Sequence, residues 1–234
     1  MRRTSKHSII FIGLIVALLL TPIWAYAVID TTSFDLGLGN TAISGYTGPY
    51  AHVEVDLNTT TTATITFTSL TNSGNIYLMG DGGSVDVNVN ATTWTLSNIT
   101  GSNAGTGFTP GPYSDGGAAN AINGFGSFNQ TIDSFDGFTH SSDMITFDLT
   151  NTSGTWTDAL SVLAANDHDA AAAAHIFVTS SPANAKNGAL ATGFATGNEG
   201  GGPPPFETPE PSTIILIGAG LLSLGLRGRK WMQK

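Results

Sequence analysis

The sequence predicts an all-β protein: an antiparallel β-sandwich of jelly-roll or immunoglobulin-like type, set between an N-terminal signal helix and a short C-terminal transmembrane helix. Three observations predict it. Four stretches between residues 53 and 149 alternate apolar and polar side chains with a period of two, the pattern of half-buried strands. Clusters of Gly, Asn, Ser and Asp separate them. A continuous apolar run stands near each end of the 234-residue chain.

Residues 1–27 have the three parts of a secretory signal peptide. Arg2, Arg3 and Lys6 form the charged region, and Ile9 to Leu20 the apolar one. Ala25-Tyr26-Ala27 is a small-x-small cleavage site, so signal peptidase leaves a mature chain that begins at Val28. Arg2-Arg3 is followed by Thr4-Ser5-Lys6, a poor match to the twin-arginine pattern, which favours the general secretion machinery. An uncleaved anchor is the alternative.

Residues 28–197 form the β-sandwich ectodomain. Val53, Val55 and Leu57 alternate with Glu54 and Asp56, and Ala63, Ile65 and Phe67 with Thr62, Thr64, Thr66 and Thr68. Val85, Val87 and Val89 alternate with Asp86, Asn88 and Asn90, and Ile145, Phe147 and Leu149 with Thr146 and Asp148. Each pattern directs one face to a core and the other to water. Further strands are expected near residues 76–79, 94–99, 128–135 and 175–179. Asn72-Ser73-Gly74, Gly80-Asp81-Gly82-Gly83, Gly101-Ser102-Asn103 and Asn151-Thr152-Ser153-Gly154 supply turns, the second read as a tight hairpin turn. Residues 101–121, rich in Gly, Pro, Ser and Asn, read as a long loop. Residues 156–174 end in five alanines, Ala170 to Ala174, and read either as a short helix or as a strand followed by a loop.

Composition narrows the function. With no Cys in the chain, no disulfide framework, thiol nucleophile or thiolate metal site exists. Three basic residues lie in the leader and four in the tail; between them Lys186 stands alone against all 17 acidic residues, a formal charge of −16. Such a surface repels nucleic acid and anionic lipid.

Residues 198–208, NEGGGPPPFET, form a linker in which three glycines give flexibility and three prolines a stiff extended stalk. Residues 209–234 follow in three parts. Pro209-Glu210-Pro211-Ser212 is held extended, because neither proline has a backbone N–H. The 14 apolar residues from Thr213 to Leu226 rise about 21 Å as a helix, against roughly 30 Å of bilayer hydrocarbon. Arg227, Arg229, Lys230 and Lys234, with Trp231 among them, mark the cytoplasmic side. The tail therefore halts transiently in the inner membrane with the ectodomain outside.

This order of parts resembles the PEP-CTERM sorting signal of Gram-negative bacteria, over 26 residues. The resemblance implies an exosortase as partner, a membrane-embedded cysteine transpeptidase that removes the tail, and an association with exopolysaccharide production. Thr208 is a small departure, since the residue before the first proline is often apolar. An ordinary C-terminal anchor is the alternative.

Candidate chemistry within the ectodomain is sparse. Asp167-His168-Asp169 with His175 has ligand types suited to zinc or manganese, but a solvated loop is the simpler reading. The turn at Asp81 lacks calcium-loop spacing. No Gly-x-Ser-x-Gly elbow occurs, and Glu54, on the exposed face of its strand, is the only Glu of the ectodomain. No metal, cofactor or catalytic residue is expected. Trp94, Trp156, Tyr46, Tyr50, Tyr77 and Tyr113 are the aromatic candidates for sugar stacking. Trp94 reads as core, whereas Tyr46, Tyr50 and Tyr113 lie in Gly/Pro-rich loops where exposure is expected. The expected function is an exported, non-enzymatic surface or matrix protein sorted through its tail. A carbohydrate-binding module is the alternative, and an extracellular hydrolase a more distant one.

Overall fold

The computed structural model describes residues 29–118 and 121–197. The signal peptide with Ala25, Ala27 and Val28, the linker, and the sorting signal with Pro209, Glu210, Pro211, Ser212, Arg227, Arg229 and Lys230 lie outside the described residues.

Among the described residues the strands are β1 (Asp30–Leu36), β2 (Leu38–Gly39), β3 (Ala51–Thr59), β4 (Thr62–Ser69), β5 (Thr71–Asn72), β6 (Asn75–Met79) and β7 (Val85–Val87), followed by β8 (Trp94–Ser102), β9 (Tyr113–Gly117), β10 (Gln130–Ser134), β11 (Met144–Asn151), β12 (Ala172–Ser180) and β13 (Ala191–Gly197). Every strand pairing is antiparallel. Sheet one has the order β1-β3-β4-β11-β8. Sheet two has the order β2-β13-β12-β7-β10-β9, with β6 also on β12 and β5 on β6.

The period-two patterns in β3, β4 and β11 do what they predict. Phe34, Val53, Phe67 and Ile145 align across four strands of sheet one, and all four are buried. They pack into the same core as Tyr77, Met79, Val85, Val87, Ile132 and Ile176 of sheet two. This shared core makes the two sheets one sandwich. On the far side of sheet one, Glu54 is exposed, as expected, and hydroxyls form hydrogen-bonded rows. Thr31 Oγ1 donates to Asp56, Thr64 Oγ1 to Asp148, and Asn98 Nδ2 to the other oxygen of Asp148.

Sheet two departs from the period-two expectation. Of Asp86, Asn88 and Asn90, all expected in water, Asn90 is exposed and Asn88 half-buried, but the strand stops at Val87 and Asp86 is fully buried. The cause is a second layer outside the sheet. Ile122, Phe125 and Phe128 pack with Ala170, Ala173 and Phe194. Further along the same face, Phe108 and Phe138 pack over Leu78 and Phe177. Loops thus cover this face, so alternation no longer separates core from water.

That cover also explains the alanine run. Ala170 to Ala174 are all buried, and Ala172 to Ala174 open β12 rather than a helix. A strand pressed between a core and a cover leaves little room beyond Cβ, and this packing outweighs the helix propensity of Ala. Before it stands a single 3-10 turn at Ala159–Ser161, capped by Asp158, whose side chain accepts from the Ser161 N–H. Residues 101–121 are likewise not one loop: β8 runs on to Ser102, and β9 pairs with β10.

The predicted hairpin turn at Gly80–Gly83 joins two strands that do not pair with each other. β6 pairs with Ile176–Ser180 of β12, and β7 with Ala172–Ala174 of the same strand. Gly80 N–H donates to the His175 carbonyl, and His175 N–H to the Ser84 carbonyl. The segment between is an excursion that leaves the sheet opposite His175 and returns to it.

Candidate functional site

The route to the sorting signal begins at β13. Gly197, its last residue, accepts a hydrogen bond from Ala171 N–H at 3.0 Å and lies against the Asp35 carbonyl near the end of β1. The other end of β1 is fixed by Ile29 N–H donating to the Leu57 carbonyl. The seven-residue strand spans about 20 Å. The chain therefore enters the sandwich near one end of β1 and leaves it near the other.

The tyrosines expected on exposed loops are structural. Tyr50 is only 3% exposed; its hydroxyl donates to the Tyr46 carbonyl and its ring meets Tyr77 edge-on at 4.9 Å. Tyr77 is buried and donates to the Thr47 carbonyl, so the two phenols pin the 46–50 loop from below. Tyr46 is half-buried against the core. Tyr113 is also half-buried, with its hydroxyl 2.6 Å from Ser142 Oγ. Burial pushes the Tyr50, Tyr77 and Tyr113 phenols up. Trp156 is buried, its indole N–H on the Asn90 carbonyl; Trp94 is half-buried on the core and donates to Gln130. An expectation of exposure misses that a phenol at a loop base can satisfy its hydroxyl on a nearby carbonyl while burying its ring.

The histidines are dispersed. His52 Nδ1 lies 2.7 Å from Asp35, and His140 Nδ1 lies within hydrogen-bond reach of the Thr109 and Gly111 carbonyls. His175 sits on β12, stacked on Phe194 at 4.6 Å and tilted against Phe177 at 5.2 Å. Among the described residues no three His, Asp or Glu side chains converge on a point where a metal ion fits. A shallow cleft of about 380 Å³ lies beside β6, lined in part by Asn103, Asp143 and Pro182. Its carboxylate is already engaged: Asp143 accepts from Ser102 Oγ and Ala104 N–H.

The densest group of titratable side chains surrounds the excursion from β6 to β7. Asp81 Oδ2 lies 3.9 Å from His175 Nδ1, which has no hydrogen-bond partner. Burial pushes the His175 imidazole down, against the opposing pull of Asp81 and the Gly80 backbone. Asp136 shares a hydrogen bond with Asp81, and both that bond and the neighbouring charge raise its carboxyl. Asp133 Oδ1 accepts the Gly83 N–H at 2.7 Å. Beneath them Asp86 accepts from Thr131 Oγ1 through Oδ1 and has no partner for Oδ2. Burial pushes Asp86 up to about 7; Asp133 adds to the shift and the Thr131 hydroxyl opposes it. Sequence reasoning placed Asp86 in water. The available signals were the apolar Phe125, Phe128 and Phe194, which need a face to cover.

No curated protein and no solved structure matches the chain. One family description does match, that of the PEP-CTERM protein-sorting motif, over residues 207–230. This span begins two residues before Pro209 and takes in the apolar run and Arg227, Arg229 and Lys230. The chain thus carries a PEP-CTERM protein-sorting motif, the signal of an exported protein sorted by an exosortase to the cell surface or beyond.

Proposed function

We propose that the protein is a non-enzymatic component of the cell surface or extracellular matrix, released from the inner membrane by exosortase cleavage at or near Pro209–Pro211 and associated with exopolysaccharide. The matched sorting motif carries this reading. The leader supplies the export step, and the linker holds the cleavage motif clear of a body whose last strand ends at Gly197.

Two polar groups fit a non-enzymatic role: His140 is engaged with backbone carbonyls, and Asp143 in the cleft is spent on its own loop. Association with polysaccharide is supported by the far face of sheet one. There Thr62, Thr64, Thr66 and Thr68 line β4, flanked by Thr146, Asp148 and Thr150 of β11. Hydroxyls and carboxylates in fixed rows suit a hydroxyl-rich polymer better than an anionic one, since the ectodomain carries Lys186 as its only Lys or Arg.

Intact mass of the protein from its own host, fraction by fraction, tests the reading. The expected product starts at Val28, ends near Pro211 and lies outside the inner membrane. Glu210→Ala combined with Pro211→Ala is expected to leave a form that retains Lys234 in the inner membrane. Normal processing of that double variant overturns the assignment of the cleavage motif. Failure of the processed protein to co-sediment with the host's matrix polysaccharide overturns the association and leaves the sorting intact.

A further inference from the structure

We propose that the Asp81–Ser84 excursion is a pH-responsive latch on the outer face of sheet two, closed while Asp86 beneath it carries a proton and loosened when that proton leaves.

The geometry makes the excursion separable from the strands that flank it. β6 and β7 lie along the same side of β12 but leave His175 to be bridged only through Gly80 and Ser84. A handful of bonds closes the loop. Ser84 Oγ donates to the Asp81 carbonyl, Ser134 N–H reaches the same carbonyl, and Gly83 N–H donates to Asp133 Oδ1. Asp81 sits at φ 74°, a left-handed conformation unfavourable for a residue with a Cβ. The closed loop therefore holds Asp81 in an unfavourable backbone conformation by these local bonds, and its grip on Asp133 matters.

Asp86 lies under that grip. A Cβ on Gly83 would stand 3.7 and 3.8 Å from its two carboxyl oxygens, so the loop backbone covers the carboxyl directly. The groups around it come from each packed element. β10 contributes Thr131, bonded to Oδ1, and Asp133. The excursion contributes Asp81, and the segment after β10 contributes Asp136, hydrogen-bonded to Asp81. β12 contributes Ala173 in register with Asp86, and His175 beyond it. The nearby charges are thus carboxylates; the one Lys or Arg among the described residues, Lys186, lies exposed in the turn Ala185–Asn187.

An ionised Asp86 would have one hydroxyl donor, an oxygen with no partner, and a like charge on the residue that grips the loop. Burying a charge on those terms is strongly disfavoured. The neutral carboxyl leaves Oδ2 unpartnered but buries no charge and is not repelled by Asp133. His175 is a poor source of compensating charge, because burial pushes its imidazole down from the ordinary value. In the closed state the Asp86 carboxyl is raised from 3.8 to about 7. The closed state therefore binds this proton more tightly than an open, hydrated state does. Its advantage is complete below the ordinary carboxyl value, declines above it, and is lost as pH rises through about 7.

The test is amide hydrogen exchange on the full chain at pH 5.5 and pH 8, corrected for the intrinsic pH dependence of exchange. Peptides covering residues 80–88 are expected to lose protection by about tenfold or more at pH 8, while those covering β3 and β4 hold theirs. Asp86→Asn, which cannot ionise, is expected to give the same protection at both values. Should that variant fail to fold, Thr131→Val serves instead: losing the one donor raises the carboxyl further and moves the transition to higher pH. Equal protection of 80–88 at the two pH values in the unaltered chain overturns the proposal. So does a pH-dependent loss that persists in Asp86→Asn, or one shared equally by β3 and β4, which is global unfolding.

Discussion

Tyr50 shows how a residue's role depends on what its neighbours leave free. It follows Gly48-Pro49, a context that reads as an exposed loop, yet its ring fills the core and its hydroxyl closes onto Tyr46. Tyr50→Phe keeps the ring and loses one hydrogen bond, an expected cost of about 1 kcal/mol. Tyr50→Ala also empties the space against Tyr77 and is expected to cost about 3–5 kcal/mol. Urea unfolding followed by fluorescence separates the two. A Tyr50→Ala variant as stable as the Tyr50→Phe variant would mean that the ring is not packed as described. The practical consequence is that loss of polysaccharide binding in Tyr50→Ala says nothing about sugar contact unless the fold is measured beside it. Asp86 was illegible for a related reason: alternation states which residues share a face, not whether that face is covered.

At the scale of elements, β12 and β4 make the contrast. β4 was readable because one of its faces meets water: Thr62, Thr64, Thr66 and Thr68 face out while Ala63, Ile65 and Phe67 are buried. β12 was readable only over residues 175–179, because Ala172–Ala174 are buried on a strand enclosed from both sides, and a run of alanine carries no period. Propensity pointed to helix and packing decided otherwise. The two strands should differ in how much a substitution costs. Ala173→Leu forces three carbons between β12 and the Phe125–Phe128 cover, at an expected cost of about 1–3 kcal/mol. Thr68→Val on the exposed face of β4 is expected to change stability by no more than about 0.5 kcal/mol. Chemical denaturation of both variants checks this, and a tolerated Leu at 173 would mean that the cover is loose. The missed excursion belongs here too. Gly80-Asp81-Gly82-Gly83 announces a turn, but no local residue announces that the strands on either side will share β12 instead of each other.

For the whole molecule, sorting and folding are assigned to different parts of the chain, and the boundary between them can be located. The tail was legible because it is a short linear code, read by charge, hydropathy and proline placement without reference to tertiary contacts. The sandwich was legible in many of its strands on both sheets, but not in the covered outer face of sheet two. The boundary is the end of β13. Ala172, Ala173 and Ala174 pair with Gly197, Thr196 and Ala195, so the last residues of β13 complete sheet two beside the covered alanines. A chain stopped after Asn198 keeps every one of these pairs, and its ectodomain is expected to unfold at the same denaturant concentration as that of the full chain. Lacking residues 207–230, it is expected to leave the cell without the exosortase step. A chain stopped after Phe194 loses all three pairs together with Ala195, which is fully buried, and is expected to unfold at clearly lower denaturant or fail to accumulate. Measuring denaturation midpoints for the two truncations, alongside their distribution between membrane and medium, tests the division. If stopping at Asn198 destabilised the ectodomain as much as stopping at Phe194, the tail would be part of the fold and the separation of the two roles would be wrong.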